Sequence, residues 1–557
     1  MVGMLILPAT CSAGSARPHT DLRILWTNDT HGYLSPLYHR EEGEDQYMKQ
    51  AEREGKVGGF AHIASVIKRQ RSELPGRSLL LDSGDSWHGT VVPVRMGGTP
   101  VVDIMNAMGY DAMTPGNVEF FYDQETLHTL FARARFPILA ANFYEAEWGE
   151  RVKLANIHPY IIKKVGKLKV AIIGMTYHWM SKVSNHPQWS FGLRTDEVQS
   201  DIDRLRTEEN VDLVILLSHM GWKVDARYAQ MVNGIDVIVG AHTHDILYRP
   251  TLVHNRTSKR SVLVVQSGSH GKMLGQLDLQ VNDRRITAFT QTLFPIRASE
   301  VKPDPEIQKL ITKLRAPYKN ELERVIGVTS TLVYRQGTWQ SPADNLITDA
   351  LRARSGRQIA MSEPGRYGAT LLPGPITVED IYNLVPSEAP IYHMQFRGRD
   401  LRNMLEAAID NVISENVLEQ IGANMLRFSG LELQVDLKQP FPHRIRAMHI
   451  NGRLVQDEQR YSLAEFNLFL RNNPQAVNVQ ATDKIGPHEI IAYIEQRIKI
   501  APKLDKRITD NHGHVMGDGL HLHETAQQTG RSDVRDMQAK YYRYQGHINQ
   551  AGYIELH

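Results

Sequence analysis

Residues 22–27, Leu-Arg-Ile-Leu-Trp-Thr, form an apolar run that reads as a buried strand, and just beyond it stand Asp29 and His31. A carboxylate and an imidazole two residues apart past a strand end can both turn toward one ion beyond the sheet edge. Taken alone, the pair fits a turn with a helix cap equally well. Repetition supplies the constraint. The run 78–81 leads into Asp82-Ser-Gly-Asp85, and a short apolar run leads into Gly116-Asn117-Val118-Glu119. Further on, 211–217 runs into Ser218-His219 and 235–239 into Gly240-Ala-His242-Thr-His244. In a mostly parallel α/β sheet the carboxyl ends of the strands share one edge, where ligands bind. Asp29, His31, Asp85, Asn117, His219, His242 and His244 are therefore expected to converge.

The pattern between these points is that of a layered α/β domain over residues 21–297. Strand-like runs at 22–27, 78–81, 137–140, 170–173, 211–217, 235–239, 261–265 and 274–281 alternate with helical patterns such as 57–71 and 196–208. A polar helical stretch, 305–323, opens on Pro305, where a missing N–H costs little, and reads as a bridge (298–324) between domains. A second, smaller α+β domain follows over 325–500, with helices at 345–355 and 398–413 and strands at 431–435, 444–450 and 461–464. The remainder, 501–557, is polar with His512, His514, His521, His523 and several tyrosines. A flexible extension is its plainer reading, ahead of a metal site.

Composition removes several function classes. A formal charge of +2 over 557 residues argues against nucleic acid or an anionic membrane as the main partner. No apolar run reaches the roughly 18 residues of a membrane span. The one cysteine, Cys11, leaves no intramolecular disulfide and no thiolate metal site. Residues 1–9 are largely apolar and 12–16 are small, which resembles an export signal without its positive start. Residues 1–20 are thus expected to be a leader that sends the chain to the periplasm; a disordered N-terminus is the alternative.

Seven donors exceed what one ion takes. Two ions with four ligands each, Asp85 bridging, use them all. Oxygen and imidazole donors without thiolate suit manganese, zinc or iron. Two dications roughly 3.5–4 Å apart lower the pKa of a shared water, which suits hydrolysis at a phosphoryl or similarly tetrahedral anionic centre.

The set resembles the binuclear metallophosphoesterase superfamily, in its two-domain 5′-nucleotidase branch, over about residues 22–480. That branch carries Asp-x-His, Gly-Asp, Gly-Asn-His-Glu, Ser-His and Gly-His-x-His. The resemblance implies two divalent metal ions, manganese first with zinc or iron as alternatives. One would be held by Asp29, His31, Asp85 and His244, the other by Asp85, Asn117, His219 and His242. Asn345 to Asp349 and Gly365-Arg366 resemble landmarks of the branch's C-terminal domain, whose loops cover the metal centre.

Two departures redirect the substrate. Nucleotidases place a histidine after the metal-binding asparagine and an aspartate three residues later, a dyad that helps an alkoxide leave. Here these positions are Val118 and Phe121. Their glycine-rich base-stacking loop is replaced by the glycine-free stretch 466–473. An alkoxide needs a proton to depart; a persulfide anion does not. A substrate R–S–S–SO3⁻ would need only an activated water and a held sulfonate, the chemistry of the Sox thiosulfohydrolases on the same scaffold.

Local stretches resemble that family too: Thr30 to Glu41, Asp82 to Gly89 with its Trp87, Trp189 to Gly192, Ser267 to Lys272, and Leu371 to Asn383. Its members have a histidine and a tryptophan at the positions of Asn117 and Val118, so this chain differs there. The resemblance implies catalytic roles for Asp85, Arg366 and His270, and substrate contacts from Lys272, Arg366, Trp87 and Arg40. Its implied partner is a sulfur-carrier protein with a thiosulfonated cysteine, from which sulfate is released in thiosulfate oxidation. The alternative is a nucleotide phosphoesterase; a catalytically silent metal-binding protein is the third reading.

Overall fold

The computed structural model describes residues 20–517, apart from 42, 45, 148, 185, 256, 259, 366, 367, 423 and 469, together with 542–548 and 554–555. The proposed leader therefore lies outside the described residues, as do Cys11, Arg366, His521 and His523.

Among the described residues, the N-terminal domain stacks two β-sheets face to face. The larger has nine strands, and its middle runs Arg285–Pro295, Met273–Asn282, Leu22–Thr27, Ser78–Asp82, Ala112–Met113 and Ile138–Leu139. From Leu22–Thr27 onward its strands are parallel; Met273–Asn282 and Arg285–Pro295 are antiparallel. The second sheet has six strands, with Leu168–Met175, Leu213–Ser218, Val237–Val239 and Ser261–Val265 parallel at its centre. Side chains two apart on each strand meet between the sheets: Leu22, Ile24 and Trp26 from one, Leu213, Ile215 and Leu217 from the other. The odd partner, Leu25, faces outward onto Phe60, Ile63 and Ile67 of helix Phe60–Glu73. The near-continuous apolar runs of the sequence are thus strands buried on both faces, between a second sheet and outer helices.

The stretch expected to bridge the domains opens as a helix at Pro305. Asp304 caps helix Pro305–Arg315 by accepting from the N–H groups of Glu306 and Ile307. Two short turns, Ala316–Tyr318 and Lys319–Leu322, replace the continuous helix expected to residue 323. Ile307 and Ile311 carry its apolar face into a cluster shared by both domains, with Phe60 and Val101 on one side and Ile347, Ile381 and Tyr382 on the other. The C-terminal domain holds a five-stranded sheet built around Ile359–Ser362, Arg460–Phe466 and Pro390–Arg397, with helices Pro342–Ser355 and Gly398–Ile413.

The tail is not wholly an extension. Ile508–Asp510 pairs in parallel with Leu431–Val435. Tyr542–Ile548 adds to the nine-stranded sheet, antiparallel to Arg285–Pro295 with Tyr542 opposite Leu293. Tyr542 packs edge-on against Tyr248 and Tyr544 stacks on Phe289, so the alternating tyrosines supply the apolar face of a strand second from the sheet's edge, with Ile554–Glu555 outside it. His514 is paired with Asp510 at 2.9 Å. No helix among the described residues is long and apolar enough to cross a membrane.

Candidate metal centre

Strands Leu22–Thr27 and Ser78–Asp82 run parallel with Thr27 opposite Asp82, so their exit loops leave the sheet side by side. The loops are then stitched together. The N–H of Asp29 donates to Gly84 O (2.9 Å) and that of His31 to Asp85 O (2.8 Å). Asp29, His31, Asp85, His242 and His244 all have positive φ, between 47° and 73°. Non-glycine residues occupy that region at a cost of about 1–3 kcal/mol each where the surroundings over-determine it, and such strain clusters at functional sites.

The donors form two groups. Asp29, His31 and His244 offer ligand atoms within 4.8 Å of one another, and so do Asp85, His219 and His242. Asp85 lies between the groups, 3.2 Å from His219 Nε2 and 3.9 Å from His31 Nε2. Asn117 Oδ1 is 2.9 Å from His242 Nδ1, and His31 Nε2 is 3.0 Å from His244 Nε2. With metal–donor bonds of roughly 2.0–2.2 Å, neighbouring ligand atoms on one ion are separated by about this much. His219 Nδ1 donates to Ser83 O at 2.7 Å, which leaves Nε2 facing the centre, buried and without a regular hydrogen bond. The donor set, its spacing and that orphaned nitrogen fit a pair of divalent cations. The geometry brings together all seven residues singled out from strand ends.

Electrostatics agree. Burial opposes charge on His219, yet Asp85 outweighs it and pushes the ring up to about 10. Burial raises the Asp85 carboxyl, and His219 and His31 more than reverse this, holding it below the ordinary carboxylate range. Burial drives His31 well down. The centre thus concentrates buried carboxylate charge that calls for a cation.

Several residues that sequence reasoning left without a role hold the ligands. Glu119 accepts from the N–H groups of Asp85 (3.0 Å), Ser86 (2.7 Å), Trp87 (2.9 Å) and Gly116 (2.7 Å), tying two ligand loops to one carboxylate. Asn28 donates to Asp29 Oδ2 at 2.7 Å and accepts from Ser267. Buried Asp225, pushed by burial up to about 7, accepts from Ser218 beside His219. Gly116 is required for space: a Cβ there would run into the Asp85 carboxylate and sit 2.6 Å from His219 Cε1. Gly116→Ala is expected to displace Asp85 and lower turnover about 10²-fold, the usual cost of misplacing a reacting group by ~1 Å. Steady-state kinetics with metal analysis checks this; unchanged turnover would show that Asp85 tolerates displacement.

The remaining candidates fare differently. His270 is buried at the centre's edge, its ring 5.6 Å from His31 and 3.9 Å from His39, and its Nε2 accepts from the Gly368 N–H at 3.3 Å. Lys272 forms an ion pair with Glu41. Arg40 is buried, its guanidinium 4.0 Å from the Tyr334 ring and its N–H on Thr370 Oγ1, so it fastens the two domains together. Trp87 corrects the expectation of a substrate contact: its side chain is fully buried against Phe131, because the apolar core beneath the loop claims it.

Val118 is 2% exposed and belongs to none of the hydrophobic clusters of the described residues; its N–H donates to Asp85 Oδ1 at 2.9 Å. Phe121 is 40% exposed. In the stretch that replaces the base-stacking loop, Phe466 is buried in the core, where it cannot stack on a ligand.

Known proteins share both halves of this arrangement. The family model for calcineurin-like phosphoesterases matches residues 22–245, and that for the 5′-nucleotidase C-terminal domain matches 325–475. Bovine 5′-nucleotidase is 34% identical, the match covering 63% of this chain and 62% of the relative. The trifunctional nucleotide phosphoesterase YfkN of Bacillus subtilis is 26% identical over 88% of this chain, which spans only 35% of that protein. The sulfate thiohydrolase SoxB of Thermus thermophilus has the same fold, with a TM-score of 0.82 at 23% identity over 91% of this chain and 100% of the other. The matches run through both domains in the same order, with the ligand groups at the expected strand ends, so the chain carries a calcineurin-like phosphoesterase domain followed by a 5′-nucleotidase C-terminal domain.

Proposed function

We propose that the chain hydrolyses a thiosulfonate, releasing sulfate from a cysteine S-thiosulfonate on a sulfur-carrier protein during thiosulfate oxidation. The observation that carries this reading is Val118. A buried, apolar side chain stands where nucleotidases place their proton donor, its own N–H on Asp85. The leaving group must then depart unprotonated. In R–S–S–SO3⁻ + H2O → R–S–S⁻ + SO4²⁻ + 2H⁺, an S–O bond forms, the S–SO3 bond breaks, and its electron pair stays on the persulfide with no net redox change. Two divalent cations, manganese in our reading, supply an acidified water and charge neutralisation when bound. Asp29, His31, Asp85, Asn117, His219, His242 and His244 would hold them. His270, driven well below its ordinary pKa by burial and kept neutral, lines the centre beside Gly368. Arg366 and Lys272 are the cations proposed to orient the sulfonate. Such a carrier belongs to the periplasm, so the reading includes export through residues 1–20.

A second reading, phosphoester hydrolysis of nucleotides or of esters with good leaving groups, is favoured by the relatives that act on nucleotides at 26% and 34% identity. One comparison separates the two. The manganese-loaded protein is incubated with a peptide bearing cysteine S-thiosulfonate and, in parallel, with AMP. Sulfate release with little phosphate release is expected; brisk AMP hydrolysis without sulfate release would sink the thiosulfonate reading.

A further inference from the structure

His88 lies three residues past Asp85 on the same loop, and neither the ligand set nor the proposed reaction uses it. It is only 9% exposed, and its Nδ1 is buried with no hydrogen-bond partner among the described residues. A buried ring nitrogen without a partner forfeits its hydration without recompense and gains from a ligand that supplies one. The ring is held from two sides, 5.7 Å from Phe121 at 88° and 5.3 Å from Tyr122 at 65°. Tyr122 is itself anchored through its hydroxyl, which donates to Trp87 O at 3.0 Å. Phe121 stands at the position of the aspartate that orients the nucleotidase proton donor, and Val118 at that of the donor. His88 therefore borders the place left by the missing acid.

We propose that His88 donates a hydrogen bond to the departing group, in place of proton transfer. A neutral imidazole has one N–H to give and one lone pair to offer, and Phe121 and Tyr122 fix the plane in which it gives it. Burial lowers His88 to about 4, and the Asp85 charge only partly offsets this, so at neutral pH the ring is a donor without a proton to release. Such a group does little for an alkoxide, which needs the proton itself. It suffices for an anion that can leave unprotonated, such as a phenoxide or a persulfide, and a hydrogen bond to that charge helps more the more basic the anion is. The inference depends on the proposed reaction only for naming that anion a persulfide.

The test varies the leaving group. His88→Ala and His88→Gln are compared with the unaltered protein on bis(4-nitrophenyl) phosphate, on analogous diesters of progressively less acidic phenols, and on the S-thiosulfonate peptide. His88→Ala is expected to lose roughly 10- to 100-fold in kcat/KM on the most basic phenol, and progressively less as the phenol becomes more acidic. His88→Gln, which keeps an N–H donor, is expected to retain most of the activity. Metal content should be unchanged in both. A uniform loss across the series, loss of bound metal in His88→Ala, or no loss at all overturns the proposal. A graded loss on the aryl diesters without any sulfate release by the unaltered protein removes the sulfur substrate and leaves the His88 contact standing.

Discussion

Asp85→Asn is expected to lose turnover by on the order of 10³-fold or more, the largest effect of any single substitution in this protein. The amide keeps the shape of the side chain, and its oxygen can still accept from the Val118 N–H, so the loop should fold. What disappears is the charge. Asp85 is 3.2 Å from His219 in one ligand group and 3.9 Å from His31 in the other, and so approaches the second group more closely than Asp29, which is 3.9 Å from His219. A neutral amide binds a dication far more weakly, and a bridging position charges that loss to both ions. Elemental analysis should find well under two metals per chain, and the residual activity should not return on adding manganese. Full activity with two metals bound would rule out the bridging role and move it to Asp29. The contrast with Gly116→Ala is informative: there the charge remains and only its place changes, so excess metal should restore part of the activity.

The ligands themselves were legible because each follows a strand whose hydrophobic run is unmistakable, and parallel strands bring their ends to one edge. The backbone that aims them was not. Nothing in the run 22–27 foretells positive φ at Asp29 and His31, since hydrophobic period reports which face is buried and is silent on local dihedral angle. Glu119 sat inside a recognised motif, yet its work depends on four N–H groups from two separate loops, which only the fold assembles. Trp87 goes the opposite way: the shared motif points toward the substrate, while the residue's size and apolarity take it into the core. Tyr542–Ile548 is hard to see in the sequence because only one of its faces packs on the core and the other carries polar residues, so two tyrosines two apart are its whole signal.

Restoring the missing dyad with Val118→His and Phe121→Asp is expected to raise AMP hydrolysis by roughly 10²-fold or more, the range in which a positioned general acid contributes. The two positions have the exposures such a pair needs. Phe121 is 40% exposed, so a carboxylate there keeps part of its hydration while it orients the imidazole. Val118 is buried yet lies outside the hydrophobic clusters, and its N–H already reaches Asp85, so a histidine there enters a polar surrounding. The larger ring will strain the loop, and overpacking of this kind costs about 1–3 kcal/mol of stability, to be read from thermal unfolding of the double variant. The single Val118→His variant should gain less, because an imidazole without its carboxylate is neither oriented nor raised in pKa. Sulfate release from the S-thiosulfonate peptide should not rise, since a persulfide leaves without a proton, and it should fall as far as His88 depends on the Phe121 ring for its orientation. The two activities are therefore expected to part company in one protein with one metal centre. A double variant that folds, binds two metals and still leaves AMP untouched would show that the barrier to nucleotides lies elsewhere, with the glycine-free stretch 466–473 and its buried Phe466 the next place to alter.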